Sequence, residues 1–237
     1  MSFLTAEWRK LAMANYIIDP DILQKYLPPH TELDFFRGDT YVSLIGFMFL
    51  KTKVLGIGFP WHRNFPEVNL RFYVRYKHAG EWRRGTVFIK EIIPKPVISF
   101  VANTLYKEHY QTLPMRHRWD ISAEEIKTEY AFKFRKRWHI MSVTAAAESR
   151  VIPAGSKEEF ITEHYFGYTP AGKNTTYEYE VTHPRWEIYP VKSHRIDLDF
   201  AAVYGSDFSF LNTADPDSML LAEGSAITIE SKRLIRR

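Results

Sequence analysis

A chain of 237 residues that is 45% hydrophobic and 16% aromatic can bury a sizeable core and is too apolar to stay disordered. Lys and Arg number 32 against 28 Asp and Glu, a formal charge of +4, which admits acidic ligands without demanding nucleic acid. There is no cysteine, which excludes disulfides, thiolate nucleophiles, iron–sulfur clusters and cysteine-ligated zinc.

The opening residues lack the basic-then-apolar order of a secretory signal. The longest apolar stretch, around Tyr41 to Leu50, is too short for a membrane helix. A cytoplasmic protein outside the membrane is expected, so the glycosylation-type triplet Asn174-Thr175-Thr176 is read as chance.

Trp8 to Ile18 fits a strand better than a helix. Asp19-Pro20-Asp21 supplies a capping Asp, a first-turn Pro and an early acid, predicting a short helix that stops at Pro28-Pro29. Leu33 to Phe36, the turn Arg37-Gly38-Asp39 and Tyr41 to Thr52 read as a hairpin, its second strand apolar on both faces. A Gly- and Pro-rich loop, Val54 to Asn64, leads into Phe65 to Tyr76. There strict alternation separates Val68, Leu70, Phe72 and Val74 from Glu67, Asn69, Arg71 and Tyr73. The expectation is a strand with one packed face and one face of long hydrogen-bonding groups, which spacing alone reads as an ordinary solvated face in preference to a pocket lining.

Arg84 to Ile93 returns as a strand on which Phe88, Lys90 and Ile92 share a face. Val97 to His109 has helical spacing. Arg116 to Ile121, Ile126 to Trp138 and His139 to Val151 are expected strands. Ser156 opens a capping-box-like helix running to about Glu163. Tyr165 to Tyr168 and Thr175 to Thr182 form a hairpin, Trp186 to Val191 is a short strand, and Asp197 to Tyr204 reads as a helix closed by Gly205. Ser225 to Ile235 is the last strand. No repeat or linker interrupts the pattern, so residues 1–237 are expected to form one domain, a large mainly β sheet closed into a barrel.

Chemical motifs are sparse. The histidines show no HxH or HExxH spacing, so no metal is expected, and they read as surface or satisfied core residues. No GxSxG occurs, and Gly56-x-Gly58 lacks the third glycine and following helix of a nucleotide site. Lys133, Arg135, Arg137 and His139 lie on one expected strand face, with Phe132, Phe134 and Trp138 opposite. Single-stranded nucleic acid needs basic and stacking groups on the same platform, so this pattern favours a solvated face.

Glu67-Val68-Asn69-Leu70-Arg71 with Tyr73-Val74, together with Leu27-Pro28, Leu33-Asp34, Gly85, Tyr106 to Met115, His183-Pro184-Arg185-Trp186 and Ala222-Glu223-Gly224, resembles the uncharacterised YqjF-like family of DUF2071 type. That family is distantly similar to acetoacetate decarboxylase. The resemblance implies an α+β, mainly β fold, a closed cone-shaped antiparallel β-barrel with a few peripheral helices, the polar face of the Glu67 strand turned into the lumen. It departs from the decarboxylase where the Schiff-base lysine should follow a proline: Pro114-Met115-Arg116 offers no amine that can form an imine. Lys90, on the face shared with Phe88 and Ile92, is the one lysine to watch: it either reaches into the lumen or, the favoured reading, snorkels to water as a strand-end lysine.

The expected function is a lumen pocket for a small organic acid or carbonyl compound, with no cofactor. Arg71 holds the anionic group, Glu67 acts as acid–base group, and Asn69, Tyr73, Tyr106 and Trp186 complete the ligand contacts. The activity is either lyase-like without an imine or ligand binding without turnover; the third alternative is single-stranded nucleic acid. A homo-oligomer is compatible with the sequence.

Overall fold

The computed structural model describes residues 2–236. Its strands are β1 (Ser2–Ile18), β2 (Glu32–Leu33), β3 (Thr40–Val54), β4 (Phe65–His78), β5 (Glu81–Ile93), β6 (Tyr110–Thr112), β7 (Met115–Ile121), β8 (Glu125–Phe134), β9 (Arg137–Ala146), β10 (Arg150–Val151), β11 (Phe166–Gly172), β12 (Thr175–Thr182), β13 (Glu187–Tyr189), β14 (Val191–Asp197), β15 (Ser218–Glu230) and β16 (Arg233–Ile235). Four short helices accompany them: α1 (Pro20–Leu23), α2 (Pro96–Leu105), α3 (Lys157–Thr162) and α4 (Phe200–Tyr204). None is long and apolar enough to cross a membrane.

The strands form two sheets. In the larger, β15, β1, β3, β4 and β5 pair antiparallel in that order. β11 joins β5 in parallel, β12 follows β11, and β12 also pairs with β15. The smaller sheet, β14-β9-β8-β7, lies across one face of β1, β3 and β4.

Alternation along β4 works as the sequence predicts. Val68, Leu70, Phe72 and Val74 are buried in a core with Ile126, Tyr130, Phe132, Met141 and Val143 of the smaller sheet and Phe200, Val203 and Phe208 beyond it. Their cover is thus mostly the smaller sheet, with α4 beside it. Tyr73, Ile45, Phe47 and Phe49 enter a second core on the opposite face, with Phe160, Trp186 and Ile188. Two cores explain why β3 is apolar on both sides.

Several local readings shift. The turn at Arg37-Gly38 is closed by a Phe36–Asp39 bridge, but β2 pairs with β4, so no hairpin joins it to β3. The basic stripe does not form. β8 ends at Phe134, the turn residues Arg135 and Lys136 adopt positive φ, and His139 is buried on Phe132 (ring centroids 5.2 Å apart), while Arg137 pairs with Asp197. A hairpin is favoured because each strand then keeps its own alternation in register, Phe132 opposite His139. The final stretch divides into β15 and β16, and Trp186 to Val191 into β13 and β14.

The parallel seam between β5 and β11 depends on a glycine. A Cβ on Gly85 would lie 2.4 Å from the Phe166 carbonyl oxygen, a backbone atom that cannot swing aside. Gly85→Ala is expected to destabilise by about 1–3 kcal/mol. An unchanged urea midpoint for this variant contradicts the seam.

Candidate ligand-binding site

Glu67, Asn69 and Arg71 project from β4 into a cavity of about 60 Å³, roofed by Trp8, Phe47, Phe49 and Trp186 and closed by Phe166, Tyr179 and Val181. Tyr179 reaches it by lying over Gly167, where a Cβ would sit 2.1 Å from the tyrosine ring. The Trp186 indole donates to Ser225 Oγ (2.9 Å), and its face stacks on His183 at 4.2 Å.

A bulge decides what β5 contributes. Leu70 pairs with Lys90 but Arg71 pairs with Phe88, leaving Ile89 as the extra residue. Phe88 therefore points into the cavity, whereas Lys90 turns to the smaller-sheet side and donates to the Val203 carbonyl. The sequence reading that put Phe88, Lys90 and Ile92 on one face fails at this residue. The same bulge brings Glu91 inside, opposite Asn69 and beside Tyr110.

Glu67 is 2% exposed and accepts from Asn69 Nδ2 (2.8 Å) and the Tyr110 hydroxyl (3.3 Å). Burial pushes its carboxyl up to about 7, against the pull of those donors and of Arg71. Glu91 is raised further, by burial and by the charges of Glu108 and Glu67. Glu108, bonded by Thr169 (2.7 Å), is also raised by burial, to about 7. Close buried carboxyls cannot all ionise, so protons are retained here near neutrality.

His164, just past α3, adds a different group. Burial would raise Asp34, but His164 (3.2 Å) and Arg84 (2.6 Å) hold it ionised. An ionised Asp34 can only accept, so the proton sits on His164 Nε2 and Nδ1 carries the lone pair. Burial lowers the imidazole to about 4, which keeps it neutral at pH 7. The ring is braced by Tyr73 at 4.6 Å.

Five buried polar atoms at this cavity have no partner among the described residues: Trp8 Nε1, Asn69 Oδ1, Arg71 Nε, Glu91 Oε2 and His164 Nδ1. Arg71 is half-buried and makes no ion pair among the described residues, although a cation taken out of water is ordinarily neutralised by a carboxylate. Its guanidinium lies 5.7 Å from the Tyr73 ring. Orphaned donors and acceptors this concentrated are what a polar ligand site requires.

The chain belongs to the DUF2071 family. The family model, described as an uncharacterized conserved protein, matches residues 5–226. The uncharacterized protein YqjF of Bacillus subtilis (strain 168) is 26% identical over 185 residues, 76% of this chain and 72% of that protein. In fold the chain is similar to the enduracididine biosynthesis enzyme MppR complexed with pyruvate, with a TM-score of 0.69 at 14% identity over 99% of this chain and 91% of the other. The acetoacetate decarboxylase from Legionella pneumophila gives 0.64 at 15% identity over 98% and 86%.

Of the residues the sequence singles out in this DUF2071 chain, Glu67, Asn69, Arg71 and Trp186 meet at the cavity. Tyr73 is on the same face but 1% exposed; Ser43 donates to Asn15 (2.6 Å), so the Tyr73 hydroxyl donates to Ser43 (2.7 Å) and the ring only supports. Tyr106 lies elsewhere, against Phe3 and Tyr179 on the wall of a neighbouring apolar groove. Among the described residues no lysine lines the cavity, and Arg116 is on the smaller sheet beside Glu129 (3.8 Å). His164 and Glu91 escape the sequence reading, while His183 and Tyr110 enter it only as parts of family motifs and, like Tyr179, are given no ligand role. Histidines without metal spacing read as core, and Glu91 is hidden by the bulge.

Proposed function

We propose that the cavity binds a small oxo acid, its carboxylate gripped by Arg71 and its carbonyl end turned toward Glu67, Glu91 and Tyr110. The ring of strands β1, β3, β4, β5, β11, β12 and β15 is read as the wall of a cone-shaped barrel, with the cavity as its lumen. The observation that carries the proposal is the unpaired Arg71 among five orphaned buried polar atoms. A guanidinium fork beside protonated carboxyls favours a carboxylate, and about 60 Å³ suits an acid of a few carbons. The pyruvate named for the MppR neighbour is a ligand of that chemistry.

A carboxyl near 7 is tuned to give and take a proton at neutral pH. Ionised Glu67 removes a proton from the carbon beside the carbonyl; the electron pair moves onto the carbonyl oxygen, which protonated Glu91 stabilises by donating to it. No lysine is placed for an imine, so the acid–base route uses non-covalent groups alone. Calorimetry with pyruvate and with methyl pyruvate tests the binding step: the acid binds and the ester, lacking the charge, binds at least tenfold more weakly. Equal affinities, or a borohydride-reduced pyruvate adduct on any lysine, sink the proposal. Deuterium exchange into the pyruvate methyl group then separates a catalyst from a binding protein.

A further inference from the structure

Beyond Tyr110 and Tyr179 lies a larger space of about 450 Å³, between α2, the loop at 55–62 and the start of β1. Its walls include Val97, Val101 and Leu105 of α2 and Leu55, Ile57 and Phe59 of the loop. Val97, Leu55, Ile57 and Phe59 are each more than half exposed. Apolar side chains gathered and exposed in this way mark a binding surface.

The groove is graded in polarity. Glu91, Tyr110 and Tyr179, which the groove shares with the cavity, stand with Glu108 at its inner end, and beyond them Thr52, His62 and Tyr106 are the polar side chains on an otherwise apolar lining. Phe49, Glu91, Tyr110, Tyr179 and Ile229 line both the groove and the cavity, so the partition is one side chain thick. Across it, the Tyr110 hydroxyl reaches Glu67 at 3.3 Å, the long end of hydrogen bonding and easily exchanged for a ligand atom. Glu91 Oε2, buried at the same partition, has no partner.

We infer that cavity and groove form one continuous site for an amphipathic carboxylic acid, the head held at Arg71 and an unbranched apolar tail of about six to ten carbons passing Tyr110 and Tyr179 into the groove. This rests on the proposed function for the head and adds the tail that selects among acids. A headless apolar molecule leaves Arg71 Nε and Glu91 Oε2 unpartnered. A second copy of the chain covers the outer rim at Ile57 and Phe59 without answering the polar inner end.

Calorimetry with pyruvate, butanoate, hexanoate and octanoate on the full chain tests it. Burial of each methylene is expected to tighten binding about fourfold, so octanoate binds roughly 200-fold more tightly than butanoate. A flat series with pyruvate still bound overturns the tail and leaves the head-group reading standing. No binding of pyruvate or of any acid overturns both. 1-Octanol binding as tightly as octanoate also overturns the inference, because the head then adds nothing. Val101→Trp fills the groove and is expected to abolish the chain-length dependence; retention of that dependence contradicts the assignment. Should Val101→Trp fail to melt cooperatively, Ile57→Asp on the exposed loop puts a charge against the tail and serves the same test. A dimer that Ile57→Asp disperses, together with a flat series, gives the groove to a second copy instead.

Discussion

Arg71→Met is expected to weaken pyruvate binding by roughly 30- to 150-fold while leaving the melting temperature unchanged or slightly raised. The binding loss follows from removing charge-assisted hydrogen bonds, about 2–3 kcal/mol. The stability result follows from what Arg71 lacks. A buried cation with a carboxylate partner costs about 3–5 kcal/mol when one member is removed. Arg71 has no such partner among the described residues, and its Nε is already desolvated without a hydrogen bond there. Replacing it by a side chain of similar length relieves that penalty and keeps most of the packing on Tyr73. Arg71→Lys retains the charge and loses the fork, so its affinity should fall between the two. A large loss of stability in Arg71→Met, with pyruvate affinity unchanged, assigns Arg71 a structural role and removes it from the site.

Legibility in the sequence followed the physical strength of each signal. The β4 alternation is strong because one-residue slippage would exchange every apolar and polar group, and β4 keeps its register against β3 from Phe65 to Phe72. Glu67, Asn69 and Arg71 were therefore readable. On β5 the same rule misleads, because the bulge at Ile89 reverses the faces beyond it and leaves no mark in composition. Alternation groups Lys90 with Phe88, whereas in the structure Phe88 and Glu91 line the cavity and Lys90 turns to the other face. His164 belongs to another class. Its role comes from Asp34, 130 positions away in the chain, and no local pattern encodes that meeting. Tyr106 shows the limit for aromatics: dense tyrosines promise a lined interior, but only three-dimensional packing decides whether a ring faces the polar cavity or the apolar groove.

The protons trapped at this site make stability depend on pH in two opposite directions. Glu67 titrates near 7 in the folded chain, against 4.5 for the free group. Between those values the unfolded chain has released a proton that the native state still holds, so stability from this group falls as pH rises from 4.5 to 7. The gap corresponds to roughly 3 kcal/mol. Glu67→Gln removes the term, so the variant should gain about that much on the parent between pH 4.5 and pH 8, read by urea denaturation at each pH. His164 runs the other way. Its folded value of about 4 lies below 6.5, so the unfolded chain binds the extra proton and stability falls as pH drops from 6.5 to 4. His164→Asn should accordingly gain on the parent toward acid pH, by a similar amount, on top of a constant loss from the weakened contact with Asp34, which keeps Arg84 as its partner. The comparison within each variant across pH cancels that constant loss. Glu91 and Glu108 share the sign of Glu67, so part of its proton passes to them and the gain in Glu67→Gln falls short of the full figure. A pH-independent difference for Glu67→Gln means its carboxyl is ionised and solvated in the folded chain, and the acid–base role assigned to it fails with that result.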